Sequence, residues 1–158
     1  MSTVLSMIEL RAGSTADLAM VETLMAEAFD PRFGEAWTRG QCLGIMSLPG
    51  VWLTVATLDG QPAGFTLSRL IVDEAELLLL ATAPSCRRRG VGAALLRATI
   101  ADARDRQAVT LHLEVRDGNE AIKLYSKAGF IKVGERRGYY RGNNGLMTDA
   151  FTYRRSLA

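Results

Sequence analysis

The segment from residue 75 to residue 106 constrains the fold more than any other part of the sequence. It begins with the apolar run Leu77–Ala81, turns at Arg87–Gly92 and continues with apolar residues at helical spacing to about Arg106. A strand that is apolar at consecutive positions is buried on both faces, at the centre of a sheet covered by helices. We therefore predict a central strand over about 75–83, followed by a glycine-rich turn and an amphipathic helix.

The remaining hydrophobic patterns predict helices and strands along the rest of the chain. Ser14 and Asp17 resemble a helix-capping box, and apolar residues follow them at helical spacing until Pro31. Asp59-Gly60 is a hairpin turn signal. The predicted helices are 15–29, 35–47, Gly90 to about Arg106, and 119–128, and the predicted strands are Leu5–Arg11, Val51–Leu58, Ala63–Ile71, 75–83, Val109–Arg116, 130–137 and 147–154. This order indicates an α/β protein with mixed strand directions.

Length and composition favour one compact domain over residues 1–158. Of the 158 residues, 48% are hydrophobic and 23% are charged, which excludes an intrinsically disordered chain because there is ample apolar area to offset backbone entropy. No apolar run approaches the roughly 20 residues of a membrane span, and the start lacks the pattern of a secretory signal. We therefore expect no membrane partner and a cytoplasmic location.

Net charge and cysteine spacing narrow the classes of function. Nineteen Lys and Arg residues against 17 Asp and Glu give a net charge of +2, too small for a strong, sequence-independent hold on nucleic acid. The two cysteines, Cys42 and Cys86, are far apart, and His112 is the single histidine. This pattern supports neither a zinc site nor a disulfide, so we expect no metal.

The turn Arg87–Gly92 has the composition of an anion-binding site. Gly90 and Gly92 allow the backbone to approach a ligand closely, and three arginines supply positive charge. The N-terminus of the following helix adds free N–H groups and the positive end of the helix dipole. The pattern matches neither the dinucleotide fingerprint nor the P-loop. A basic loop that caps a helix and a nucleic-acid patch are open alternatives at this point.

Four motifs follow one another in the order Arg87-x-x-Gly90-x-Gly92, Leu113-Glu114-Val115-Arg116 with Asn119 after it, Leu124-Tyr125, and Gly129-Phe130. In this order they resemble the GNAT acetyltransferase superfamily, and the resemblance covers essentially the whole chain. The first motif is similar to the pyrophosphate loop of that family. The resemblance implies a single-domain α/β fold with a central mixed, mostly antiparallel sheet of six to seven strands, flanked by about four helices.

Near the end of the chain are the elements Gly138-Tyr139-Tyr140 and Asp149-Ala150, and near its start is Trp37-Thr38. Within that superfamily these three elements resemble those of bacterial ribosomal-protein-alanine N-acetyltransferases, although Ala36 stands where proline is usual. The resemblance implies direct acetyl transfer from acetyl-CoA to the α-amine of a protein or peptide N-terminus, with ribosomal protein S18 as a candidate acceptor. Tyr139 and Tyr140 would lie in a loop between the last two strands and bind that peptide; the structural alternative is a β-hairpin whose tyrosines cover the edge of the core.

The resemblance also implies which residues bind acetyl-CoA. Backbone amides from about Arg88 to Ala93 would hold the pyrophosphate, and the strand end would pair with the pantetheine arm and polarise the thioester carbonyl. The predicted set is Leu80, Ala81, Thr82, Arg87, Arg88, Arg89, Gly90, Val91, Gly92, Ala93 and Asn119. One residue fewer than usual separates Asn119 from Tyr125, so the start of that helix is shifted or tightened. Cys86 adjoins the loop, but we do not expect it to act as a nucleophile.

Glu114 and Tyr125 are the predicted catalytic residues. An amine must lose a proton before it attacks a thioester, which calls for a general base, and the resemblance assigns that role to Glu114. It assigns protonation of the departing thiolate to Tyr125. The residues alone leave two structural alternatives, an ion pair of Glu114 with Arg116 and core packing of the Tyr125 ring. His112 shares the face of Glu114 and has no assigned role.

Three other functions stay open at this level. They are acetylation of a small amine or a lysine side chain, a non-catalytic acyl-CoA-binding regulatory module, and nucleic-acid binding through Arg87–Arg89. The presence of both Glu114 and Tyr125 disfavours the non-catalytic module. Nucleic-acid binding would weaken steeply with salt and would not respond to coenzyme A.

Overall fold

The structure is a computed structural model that describes residues 7–158, and it contains one seven-stranded sheet flanked by α-helices. The elements are β1 (Ile8–Ala12), α1 (Leu18–Ala28), α2 (Arg39–Met46), β2 (Val51–Leu58), β3 (Gln61–Ile71), β4 (Glu74–Thr82), α3 (Val91–Asp105), β5 (Thr110–Arg116), α4 (Ala121–Lys127), β6 (Ile131–Arg141) and β7 (Met147–Ser156). The strand order is β1-β2-β3-β4-β5-β7-β6, and all neighbours are antiparallel except β4 and β5. The predicted fold class and element order are confirmed.

The first strand and helix lie close to their predicted positions. β1 ends one residue beyond the predicted strand, whose first residues, Leu5 and Ser6, lie outside the described part of the chain. The capping box is present, since the Ser14 hydroxyl accepts a hydrogen bond from the Ala16 amide and the Asp17 carboxylate accepts one from the Ser14 amide. These bonds satisfy amides that no helical carbonyl reaches, and they cap the single 3-10 turn Thr15–Asp17 that leads directly into α1.

Helix α2 begins four residues later than the predicted 35–47. The Thr38 hydroxyl accepts a hydrogen bond from the Gln41 amide (3.1 Å), and the Gln41 side chain accepts one from the Thr38 amide (2.8 Å). This second capping box starts the helix at Arg39. Residues 35–38 therefore belong to the loop between α1 and α2.

Helices α1 and α3 pack against opposite faces of the sheet. The Thr99 hydroxyl of α3 lies 3.4 Å from that of Thr66 on β3, so α3 covers the face to which Thr66 points. The neighbouring strand residue Phe65 points to the other face, as alternation requires, and packs in one core cluster with Leu18 and Val21 of α1. None of the helices within residues 7–158 is long and apolar enough to cross a membrane.

The parallel strands β4 and β5 separate half-way along β4. They pair from Glu74 opposite Thr110 to Leu77 opposite Leu113 and no further. At the same point the pairing of β4 with β3 shifts by one residue, which leaves Leu78 as a β-bulge. Leu78 and Leu80 are only half-buried because they border the opening. The prediction that this strand is buried on both faces is therefore wrong for these two leucines.

Strand β6 is longer than the predicted 130–137 and includes Tyr139 and Tyr140. The prediction that the two tyrosines lie in a loop is therefore wrong. The strand continues because its pairing with β7 becomes irregular between Arg136 and Tyr140 instead of ending. Gly138 lies in this irregular stretch with a φ of 61°, and its amide donates a hydrogen bond to the Asp149 carboxylate (2.8 Å). The Gly-Tyr-Tyr and Asp-Ala elements thus form one structural unit.

Candidate active site

A cavity of about 1040 Å³ lies where β4 and β5 separate. Its walls are the end of β4, the turn before α3, the end of β5, the start of α4, the loop between α1 and α2, and the two tyrosines of β6. The cavity brings together all but one of the residues predicted from the sequence, namely Leu80, Ala81, Thr82, Arg87, Arg88, Gly90, Val91, Gly92, Ala93, Glu114, Asn119, Tyr125, Tyr139 and Tyr140. Arg89 is not among the lining residues, and its contact with a ligand stays a prediction.

The N-terminus of α3 forms one end of the cavity. The first helical hydrogen bond runs from the Ala94 amide to the Gly90 carbonyl (3.0 Å), so the amides of Val91, Gly92 and Ala93 have no acceptor within the helix. Gly90 takes a φ of 86°, which a residue with a side chain adopts only with strain. The turn therefore presents several N–H groups and the positive helix end to the cavity, an arrangement suited to a phosphate.

Arg87 attaches this turn to α1. Its guanidinium donates a hydrogen bond to the Ala28 carbonyl (2.9 Å), one of the last carbonyls of α1. Such carbonyls lack a partner within their own helix. Arg87 therefore has a structural contact besides any contact with a ligand.

The end of β4 presents a backbone edge to the cavity. Leu80, Ala81 and Thr82 pair with β3 along one side of the strand, while β5 has already turned away on the other side. Backbone polar groups that are removed from water need partners. This edge can therefore pair with an extended ligand that lies between the two strands.

Glu114 projects from β5 into the cavity, where it forms an ion pair with Arg136 of β6. Glu114 Oε1 lies 2.8 Å from Arg136 Nε, and the two side chains are 18% and 61% exposed. The alternative pairing of Glu114 with Arg116 is wrong, because Arg116 pairs with Glu35 instead. His112 faces Glu76 at 3.8 Å rather than Glu114.

The irregular stretch of β6 places Tyr139 against Glu114. Burial raises the pKa of Tyr139 above its ordinary value, and the negative charge of the nearby Glu114 carboxylate raises it further. The rings of Tyr139 and Tyr140 meet edge to face with centroids 5.0 Å apart. The two tyrosines thus form an aromatic wall beside the carboxylate.

Tyr125 lies on α4 and is both a packed residue and a cavity residue. Its ring meets that of Phe130 edge to face, with centroids 5.9 Å apart. Burial, followed by the nearby Glu35 carboxylate, raises the pKa of Tyr125 well above its ordinary value. The hydroxyl therefore keeps its proton at neutral pH, and Tyr125 lines the cavity.

Glu35 is a cavity residue that the sequence analysis missed. One of its oxygens accepts a hydrogen bond from Arg116 Nε and the other from Asn119 Nδ2, both at 2.9 Å. The side chains of Glu35 and Arg116 are only 9% and 13% exposed, and Arg116 also lies 3.8 Å from the centre of the Phe33 ring. In the sequence, Glu35 is only an isolated carboxylate between Gly34 and Trp37. The predicted helix 35–47 placed it at a helix start, whereas it lies in the loop before α2.

Asn119 fixes the start of α4. Its side-chain oxygen accepts a hydrogen bond from the Ala121 amide (2.9 Å), while its side-chain nitrogen donates to Glu35. Both polar atoms thus have partners within the protein, although Asn119 also lines the cavity. Its contact with coenzyme A stays a prediction.

The cavity unites the groups that acyl transfer to an amine requires. It contains a helix N-terminus suited to an anion, a free strand edge, a carboxylate, and a protonated phenol. The buried thiol of Cys86 lines the wall but has no neighbouring base that the structure identifies. In the part of the chain that the structure describes, no three His, Cys, Asp or Glu side chains group as they would around a metal.

Comparison with known proteins identifies the family. Residues 18–130 match the model of the Acetyltransferase (GNAT) family. The chain belongs to the GNAT acetyltransferase family. The family resemblance noted in the sequence is thereby confirmed, and the parted strands, the α3 N-terminus and Glu114 lie in a GNAT fold.

Relatives of this chain within the GNAT family are named for the same activity. The [ribosomal protein bS18]-alanine N-acetyltransferase of Escherichia coli K12 is 40% identical over 90 residues, which cover 56% of this chain and 61% of that enzyme. The enzyme of the same name from Haemophilus ducreyi is 31% identical over 139 residues, 83% of this chain and 95% of that enzyme. The crystal structure of the E. coli ribosomal-protein-S18-alanine N-acetyltransferase superimposes with a TM-score of 0.85 at 29% identity and covers 96% of this chain and 95% of that one.

Proposed function

We propose that this GNAT protein is an acetyl-CoA-dependent N-terminal acetyltransferase that modifies the α-amine of a protein, with ribosomal protein S18 as its acceptor. The observation that carries the proposal is a single cavity that joins an anion-binding helix N-terminus to the carboxylate of Glu114 and the tyrosine wall. The relatives named for the same activity support it. This activity would take place in the cytoplasm, where ribosomal proteins are made.

Acetyl-CoA would enter between β4 and β5. The amides of residues 88–93 would bind its pyrophosphate, helped by Arg87, Arg88 and Arg89, and the backbone of Leu80–Thr82 would pair with the pantetheine arm. The amides of Val91, Gly92 and Ala93, which have no acceptor within α3, would supply the backbone part of this site.

The acceptor would approach from the side of Tyr139, Tyr140 and the loop between α1 and α2. Its α-ammonium would lie beside Glu114, which takes one proton and leaves a neutral amine that attacks the thioester carbonyl. The new C–N bond forms and the C–S bond breaks as the Tyr125 hydroxyl donates a proton to the leaving thiolate. The second proton of the attacking nitrogen returns to the Tyr125 oxygen, and Glu114 releases its proton to water. No covalent enzyme intermediate is needed, and Cys86 has no part in the reaction.

The test is an acetyl-CoA turnover assay with a panel of acceptors. It includes a peptide copied from the N-terminus of ribosomal protein S18 of the same cell, the same peptide with a blocked N-terminus and an added lysine, and small diamines. We expect the highest kcat/KM for the peptide with a free α-amine. Preference for the lysine or diamine acceptors would contradict the proposed substrate, and acetyl-CoA binding without turnover of any acceptor would indicate a regulatory module.

A further inference from the structure

The Glu114 carboxylate, which we propose as the general base, already forms an ion pair with the guanidinium of Arg136. Arg136 Nε lies 2.8 Å from Glu114 Oε1, and the guanidinium carbon lies 5.5 Å from the centre of the Tyr139 ring. Arg136 thus occupies the space beside both Glu114 and the tyrosine wall. On the proposed function, this is the space that the acceptor nitrogen must enter.

The position of Arg136 allows its guanidinium to move away from Glu114 into solvent. Its side chain is 61% exposed, and it projects from β6, which is an edge strand of the sheet. Arg136 lies opposite Ala150 of β7 and Glu114 lies opposite Thr152, so the guanidinium reaches the carboxylate diagonally across β7. Ion pairs with a solvent-exposed partner contribute little to stability, so the folded protein loses little when the guanidinium moves into water.

An acceptor α-amine carries the same charge as Arg136 when it arrives. The α-amino group has a pKa of about 7.7–8.0, so most of it is an ammonium at pH 7. Ammonium and guanidinium then compete for one carboxylate. After acetylation the acceptor is a neutral amide, which has no charge to hold it at Glu114.

We propose that Arg136 is a displaceable counter-ion of Glu114, which the acceptor ammonium replaces on binding and which returns when acetylation has removed the acceptor's charge. Arg136 thereby lowers the affinity for the charged acceptor and leaves the affinity for the acetylated product unchanged. It acts through Glu114 and is a specificity-determining residue rather than a catalytic one. This inference rests on the proposed function.

The experiment compares binding of two peptides to three proteins. The peptides are the S18 N-terminal peptide with a free amine and the same peptide acetylated, each titrated by calorimetry in the presence of coenzyme A. The proteins are the wild type, Arg136→Met and the matched control Arg137→Met, which removes a charge from the neighbouring exposed residue of β6. In Arg136→Met we expect the Kd of the free-amine peptide to fall by about threefold, the size typical of an exposed ion pair. The Kd of the acetylated peptide stays within twofold, and the control changes neither.

Arg136→Lys keeps a cation at the same place and is expected to bind both peptides as the wild type does. Unchanged or weaker binding of the free-amine peptide by Arg136→Met would overturn the counter-ion exchange. Equal tightening of both peptides would overturn it too, because the guanidinium would then block the site by size. If wild-type protein turns the peptide over, either result defeats this inference alone. Absence of wild-type turnover with every acceptor would defeat the proposed function, and this inference with it.

Discussion

The two side chains proposed for proton transfer differ most in their surroundings. Glu114 is partly exposed and sits between a guanidinium and a phenol, whereas Tyr125 is buried against Phe130. A carboxylate that water and an acceptor can reach suits a base. Burial that raises the pKa of Tyr125 keeps its proton in place for the leaving group.

Replacing Glu114 with Gln tests the base. The amide keeps the volume of the side chain but cannot take a proton from the acceptor, so turnover of the S18 peptide should fall by about 10²–10⁴-fold at neutral pH. The Kd of acetyl-CoA should stay nearly constant. Glu135→Gln, the same change at an exposed position of β6, is the control. Near-normal turnover by Glu114→Gln would leave Glu114 a structural role only.

Replacing Tyr125 with Phe separates the hydroxyl from the ring. The contact with Phe130 survives, so Tm should hardly change, but turnover should fall by about 10²-fold because the proton donor is gone. The loss should shrink for an acyl donor with a more acidic leaving thiol. A matched control is Tyr153→Phe, since Tyr153 is equally buried but does not line the cavity. A loss of the same size with every donor would instead indicate a misplaced thioester.

Among the elements, the N-terminus of α3 is the one on which acetyl-CoA binding should depend. Gly90→Val puts a β-branched side chain at a φ of 86° beside the phosphate site, and the Kd of acetyl-CoA should rise at least tenfold, about 1.4 kcal/mol. Gly60 offers the control, because it has a φ of 82° and open space around it in the turn between β2 and β3. Both variants should lose similar stability, since they share the backbone strain. Equal acetyl-CoA affinity in the two would refute the assignment of this turn.

The elements also show what the sequence could and could not predict. Local signals sufficed where the chain itself carries the cause, as in the capping box of Ser14 and the hairpin at Asp59-Gly60. The start of α2 was misplaced because the cap at Thr38 was overlooked. The prediction of a loop at Tyr139 and Tyr140 is wrong for another reason. β6 continues past Gly138 through contacts with the neighbouring strand, among them the bond from the Gly138 amide to Asp149, and no local pattern shows such contacts.

For the molecule as a whole, Glu35 joins segments that are distant in sequence. Its partners Arg116 and Asn119 are 81 and 84 residues away, which is why no local pattern could reveal the contact. The loop that carries Glu35 also meets the turn after β6. The Asn143 amide donates to the Pro31 carbonyl (3.1 Å), and a side chain at Gly142 would overlap the Arg32 carbonyl. The cavity wall on the acceptor side is therefore held by tertiary contacts.

Glu35→Gln should destabilise the folded protein strongly. The substitution leaves the buried Arg116 without its charged partner, a change that costs about 3–5 kcal/mol in buried pairs, so Tm should fall by roughly 10 °C. The control is Glu22→Gln, which breaks the exposed pair of Glu22 with Arg39 and should alter Tm far less. Thermal unfolding followed by circular dichroism measures both. Similar shifts in the two variants would contradict the importance of the buried pair.

The parting of β4 from β5 has a consequence for solubility in a crowded cell. An unpaired strand edge at the rim of a sheet is a template onto which other chains can add, and proteins restrict such edges to limit aggregation. Here the free edge of Leu78–Thr82 lies inside the sheet, between two strands that are still joined at Leu77 and Leu113. A second folded molecule cannot bring a strand of its own into that cleft, whereas a single flexible chain can enter it. The protein can thus keep backbone groups available without offering them to its neighbours.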